Sequence, residues 1–162
     1  MRQSGACATL TSTCASLAPR RKNLSVEENK ALVHRYVELI NAGDVSTFDE
    51  VLGANVVDRN PDPGQSLGIQ GIKEYFDMLL GAFADHRLSV EDVVAAEDKV
   101  AVRVTFRGTH VGELMGIPAT GREVAITAMD IFRIERGKIV ELWSETDLLG
   151  LMRQLGVIAE PG

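Results

Sequence analysis

Asp130 is an acid set into an apolar pattern. Over Glu123–Ile134, the residues Val124, Ile126, Ala128, Asp130 and Phe132 fall on one face of a strand, because strand side chains alternate. A carboxylate on such a face has two fates. In a pocket it loses hydration, its pKa rises, and it becomes a candidate general acid or base. Against Arg103 or Arg133 it would instead be a structural ion pair. His110, in Gly108-Thr-His-Val-Gly112, is the second candidate. With His34 and His86 it is one of three histidines. Zinc wants three or four convergent ligands, and no ligand spacing is present, so no metal is expected. His110 therefore reads as a loop residue that hydrogen-bonds backbone or a pocket acid. His34 is expected to be solvated and His86 to be at the surface. Tyr36, on the inner side of a helix, either donates to a carbonyl or oxyanion or is a core aromatic satisfied by backbone. Trp143 and Met115 either line a pocket or belong to the core or an interface.

These residues need elements to hold them. Ser25 and Glu28 form a capping box that starts a helix, with Leu32, Val33, Tyr36, Val37 and Ile40 on one side. Gly43 is suited to stop it. A short helix over Val45–Leu52, a strand end at Asn55–Asn60 and a helix over Gly68–Phe83 follow. Then Leu88–Ala95, Lys99–Arg107, Glu123–Ile134 and Lys138–Glu145 read as strands rich in Val, Ile, Thr and Phe. Glu97-Asp98 and Glu135-Arg-Gly137 read as hairpin turns. Leu148–Leu155 closes as a short helix, for which Asp147 is a suitable N-cap. Helices followed by a run of antiparallel strands make an α+β pattern.

Composition narrows the function classes. The chain has 162 residues and a formal net charge of −6. Residues 1–24 contain four basic residues and no acid, so the remainder is more acidic than the total suggests. An acidic body repels phosphate backbones, and no nucleic-acid partner is expected. No run reaches the ~18 apolar residues of a membrane span. The Ser-, Thr- and Ala-rich segment 1–24 has no apolar periodicity and is expected to be a disordered leader, with residues 25–162 as one domain. It reads as a transit-like segment, an ordinary extension or an upstream start. No secretory apolar core is present, and a cytoplasmic protein is expected. Both cysteines, Cys7 and Cys14, lie in that segment, so neither a thiolate nor a disulfide serves the body. Gly116-Ile-Pro-Ala-Thr-Gly121 precedes a strand rather than a helix, so it is no phosphate cradle and reads as a rim. No dinucleotide fingerprint occurs, and no cofactor is expected.

Gly108–Arg122 (GTHVGELMGIPATGR), Asp130–Trp143 (DIFRIERGKIVELW) and Leu149–Gly156 (LGLMRQLG) together resemble the SnoaL-like polyketide cyclases. These are a branch of the nuclear-transport-factor-2-like, ketosteroid-isomerase-like superfamily. The resemblance implies a curled antiparallel sheet forming a cone, with three N-terminal helices over the concave face and a pocket between. It also implies a polar pocket residue at Asp130. Relatives read His-Trp-Asp where this chain has Leu142-Trp143-Ser144, so the cyclase acid position is Ser144. A serine takes no proton at neutral pH without a base. Relatives read Asp-His-Asp where this chain has Asp58-Arg59-Asn60, leaving Asp58 as the base candidate or as a turn cap before Pro61.

The expectation is a cofactor-independent enzyme acting on a small, apolar, oxygenated molecule such as a polyketide-like intermediate. Cyclisation, isomerisation, dehydration and epoxide opening are all open to it. Asp130, Asp58 and His110 are the catalytic candidates. Tyr36, Ser144, Leu142, Trp143, Phe132 and Met115 are the substrate-binding candidates. One rival is a non-catalytic binding or dimerisation module. Another is a limonene-type epoxide hydrolase using Asp130, Arg103 and Asp58. Apolar residues on both faces of Val100–Phe106 and Ile139–Trp143 suggest a homodimer through the outer face of the sheet.

Overall fold

A computed structural model describes residues 25–159. The expected leader, residues 1–24, lies outside the described residues. Helix α1 spans Val26–Ala42 and begins with the expected capping box: Glu28 N donates to Ser25 Oγ at 3.2 Å, and Ser25 N donates to the Glu28 carboxylate at 2.7 Å. Gly43 ends it in the left-handed region, at φ 71°. A 3-10 helix over Val45–Glu50 leads into strand β1, Leu52–Asp58. Helix α2, Gly68–Ala82, runs directly into β2, Phe83–Ala96. That strand starts earlier than the Val- and Ile-rich run alone suggests. Strands β3 (Lys99–His110), β4 (Glu123–Glu135) and β5 (Lys138–Thr146) follow, and α3 covers Leu148–Leu155. Asp147 Oδ1 accepts from Gly150 N at 2.8 Å, so Asp147 does cap α3.

The strand order is β1-β5-β4-β3-β2. The curled, unclosed sheet with helices packed against it is an α+β cone. Strands β2 to β5 are antiparallel neighbours, as expected, but β1 pairs parallel to β5. Local propensity carries no signal for that. Helix α2 carries the chain from one edge of the sheet to the other, and three hairpin reversals return β5 alongside β1.

The β4–β5 register contains the detail that matters most for the site. Arg133 pairs with Glu141, but Ile134 pairs with Ile139, leaving Val140 as an extra residue. This bulge resets the alternation of β5. Ile139, Leu142 and then Ser144 reach the concave side, while Glu141 and Trp143 face outward.

The core lies on the concave side in two clusters. One joins α1, the 3-10 helix and β1 to the inward residues of β3, β4 and β5, among them Tyr36, Phe48, Val102 and Phe132. The other joins Phe83, Phe106, Leu114 and Ile126 to Leu151 and Leu155 of α3. A cavity of about 350 Å³ draws its wall from both.

Candidate active site

The cavity wall is mostly apolar, and its ionisable groups are few. Strand β4 contributes Ile126, Ala128, Asp130 and Phe132 as one inward row, matching the expected alternation. Strand β5 contributes Leu142 and Ser144. In the antiparallel ladder Asp130 lies opposite Ser144, and Phe132 opposite Leu142. The Ser144 side chain, on the same wall, favours the ionised form of Asp130. Burial raises the pKa of Asp130 above the usual carboxylate value; the Ser144 side chain works against this, and the negative charge of Asp58 adds to it.

Asp130 has no cation partner among the described residues. Arg103 turns away and pairs with Asp92 at 2.7 Å, and Arg133 pairs with Glu141 at 2.6 Å. The structural ion-pair alternative for Asp130 is therefore not realised. The Asp–Arg–Asp arrangement of an epoxide hydrolase is not assembled either, because Arg103 does not reach the cavity wall.

Asp58 ends β1 and lines the same cavity. Its Oδ1 accepts from Asn60 N at 2.9 Å, and its Oδ2 accepts from Gln65 Nε2 at 3.1 Å. It is thus both the turn cap and a cavity residue. Tyr36 is buried on α1, edge-on to Phe48, Phe76 and Phe132 with ring centroids 5.3–6.0 Å apart. It also lines the cavity. Burial first, and Asp130 second, push its phenol well above the usual range, so the hydroxyl keeps its proton. Tyr75, missed by sequence reasoning, is pushed up to about 12 by the same burial. Met115 sits at the rim, 60% exposed, in a left-handed turn at φ 51°.

Two expected site residues lie elsewhere. His110 is fully buried and is not part of the cavity wall. Thr120 N donates to its Nδ1 at 3.3 Å, the Thr120 hydroxyl lies 3.1 Å from the same atom, and the ring packs on Phe83. Its backbone holds the loop from both sides: His110 N donates to Arg122 O and Gly121 N to His110 O. His110 therefore ties the ends of the rim loop together instead of meeting the pocket acids. Trp143 also leaves the wall. With Leu142 and Ser144 inward, alternation turns it to the convex side, where Lys99 and Arg59 stand over its ring at 5.4 and 6.0 Å. His34 is exposed as expected, whereas His86 is partly buried, with Nε2 3.3 Å from Ile40 O.

Sequence reading missed Asp62 and Gln65 at the mouth; Asn60, in the loop weighed for a base, and Glu145, expected to reach the pocket only through a bulge, also line it. Asn60 Nδ2 donates to Glu145 Oε1 at 3.1 Å, and Ser144 N donates to Asn60 Oδ1 at 3.3 Å. The signal was the loop Asn60–Gly64, whose two prolines hide how it folds back over the sheet edge. Among the described residues no lysine, arginine or histidine lines the cavity; its charged groups are Asp58, Asp62, Asp130 and Glu145.

A buried acid facing a hydroxyl, in an apolar cone, with a protonated phenol nearby, is an arrangement capable of proton transfer. Comparison with known proteins agrees with the fold. The family model for SnoaL-like polyketide cyclases matches residues 30–155. The aklanonic acid methyl ester cyclases DauD of Streptomyces sp. (strain C5) and DnrD of Streptomyces peucetius are each 33% identical over 132 residues. That stretch is 77% of this chain and 80% and 88% of theirs. Among solved structures, TsrD from Streptomyces laurentii superposes with a TM-score of 0.78 at 34% identity, covering 84% of this chain and all of that one. The chain belongs to the SnoaL-like polyketide cyclase family.

Proposed function

We propose that the protein is a cofactor-independent cyclase acting on an uncharged, apolar, oxygenated intermediate of the polyketide kind, with Asp130 as its acid–base group. The observation that carries this reading is the placement of Asp130. It is a carboxylate on the wall of an apolar cavity, opposite Ser144 in the ladder, with its pKa raised by burial and with no cation partner among the described residues. A raised pKa makes the ionised carboxylate a stronger base. The family membership and the names of the DauD and DnrD relatives support cyclisation over the other proton-transfer reactions.

The arrangement of groups supports one step. Asp130 removes a proton from a carbon flanked by carbonyl groups. The enolate formed attacks a second carbonyl of the same molecule, and the resulting alkoxide recovers the proton from Asp130. No atom is gained or lost. Tyr36, held protonated, donates to the enolate oxygen, where charge develops. Ser144 orients the carboxylate. Asp58 stands near enough to raise the basicity of Asp130 by repulsion and is a second candidate base. Ring closure by oxygen uses the same groups. Phe132, Leu142 and Met115 fold the chain of the substrate by excluding water. His110 and Trp143 serve the scaffold in this reading. The test is turnover of aklanonic acid methyl ester, the compound in the names of the two relatives, by wild type and Asp130→Asn. Full activity in the variant would move the base to Asp58; no turnover by wild type, with tight binding, would favour a non-catalytic binder.

The protein is also proposed to be a homodimer through the convex face. Val94, Ala101, Ile131 and Trp143 are register partners across four strands and form one apolar row there, with Val94 69% and Ile131 43% exposed. A row like this, left in water, is a candidate for cover by a second copy.

A further inference from the structure

We propose that Glu141 is a positioning residue that acts through Arg59: from the convex face it fixes the end of β1, so that Asp58 and Asn60 face the cavity while the cation between them stays on the other side. The proposal rests on the acid–base reading of Asp130 given above.

Strand β1 is an edge strand with a weak hold. It pairs with β5 at Leu52–Ile139, loses register, and regains it only at Val57–Glu141 and Asp58–Leu142. Beyond that, Arg59 N donates to Leu142 O at 2.9 Å, and the Asn60 side chain accepts from Ser144 N. Backbone pairing this sparse leaves a strand end free to fray. A side chain closes the gap. Arg59 Nε lies 2.5 Å from Glu141 Oε1, and a second guanidinium nitrogen bonds the same oxygen. The other oxygen of Glu141 accepts from Arg133 Nε at 2.6 Å. The Glu141 side chain is only 9% exposed, whereas Arg59 is half exposed. The two arginines, Arg133 first, hold the Glu141 carboxyl below the usual carboxylate range. Charge-assisted, two-pronged bonds of this kind fix direction as well as distance. Trp143 adds a surface under the Arg59 guanidinium.

Placement explains what the clamp does. Arg59 lies between Asp58 and Asn60, both of which line the cavity. The groups facing Asp130 are Tyr36 from α1, Tyr75 from α2, Asp58 from β1 and Ser144 from β5, with Asp62 and Glu145 at the mouth. A cluster of carboxylates without a cation would draw in a free guanidinium. Glu141 competes for it from the outside, and the bulge at Val140 is what puts Glu141 there. Release of Arg59 would bring a cation toward Asp130 and let Asp58 drift away. Both changes favour ionised Asp130 and weaken it as a base.

The test is a side-chain carboxyl NMR titration of Asp130 in the full chain without substrate. It compares wild type with Glu141→Gln and Arg133→Met. In Glu141→Gln the Asp130 midpoint is expected to fall by about half a pH unit or more, because lost repulsion and a nearer cation act in the same direction. In Arg133→Met the Arg59–Glu141 pair survives, and the midpoint is expected to stay within about a fifth of a unit of wild type. An unchanged midpoint in Glu141→Gln, or equal shifts in both variants, would overturn the proposal and leave Glu141 a structural residue. If Glu141→Gln does not fold, Arg59→Gln replaces it, since Glu141 then keeps Arg133. A lower midpoint is again expected through displacement of Asp58, and an unmoved one overturns the proposal. The readout needs no turnover, so failure here is distinct from failure of the cyclase reading, which Asp130→Asn kinetics decides.

Discussion

Asp130 and Ser144 are partners across the β4–β5 ladder, and both line the cavity. Residue 144, a serine, thus meets the acid as a neutral neighbour. That relationship decides how the site should answer substitution.

Asp130→Asn removes the base and keeps the shape. Turnover is expected to fall by about 10²-fold or more, the usual size of an acid–base contribution. Stability should move the other way. A folded-state carboxyl with a raised pKa binds its proton more tightly than in the unfolded chain, so its ionisation costs stability as pH rises from the unfolded value through the folded one. Asp130→Asn escapes that loss. Thermal melts of the two proteins should coincide near pH 3.5 and separate above it, with the variant higher at pH 7. A variant that melts lower at pH 7 would show that Asp130 holds the fold together.

Ser144→Asp places a second carboxylate against the first. One of the two is then expected to stay protonated at neutral pH, because like charges at hydrogen-bonding range cannot both ionise cheaply. The acid limb of the pH–rate profile should move to higher pH by about one unit or more. Ser144→Ala should move it the same way by less, since the side chain that favours the ionised form is gone. Profiles identical to wild type in both variants would count against the pairing.

The charge of the cavity predicts its selectivity. With four carboxylates and no cation on the wall among the described residues, an anionic ligand meets repulsion that a neutral one does not. N-phenylnaphthylamine and anilinonaphthalene sulfonate differ in one sulfonate. Fluorescence titration should show the neutral probe binding about tenfold tighter or more at low ionic strength, with the gap narrowing in salt. Equal affinities would mean that the mouth carboxylates do not act on what enters.

The apolar row on the convex face is expected to be covered. Light scattering at micromolar concentration should return twice the chain mass, and Ile131→Glu, which puts a charge in the middle of the row, should return the monomer with the melting temperature little changed. A monomeric wild type would leave the row solvent-exposed and remove the dimer from the account.

Much of this protein was legible in its sequence because local rules decide those parts. The Ser25–Glu28 box, the stop at Gly43, the cap at Asp147 and the inward row Val124 to Phe132 each depend on residues within a few positions of one another. The family motifs added the cone, and the alternation of β4 placed Asp130 on its wall. Four matters were settled only by tertiary structure, for one shared physical reason: each depends on which strand lies beside which. The parallel pairing of β1 comes from the path of α2 across the sheet. The bulge at Val140 comes from register between β4 and β5, and it sends Ser144 inward while Glu141 and Trp143 turn out. His110 is drawn from the acids into a pocket between Thr120 and Phe83. Arg59 is turned from the cavity by a glutamate 82 residues further along the chain, a distance over which no propensity or spacing rule acts.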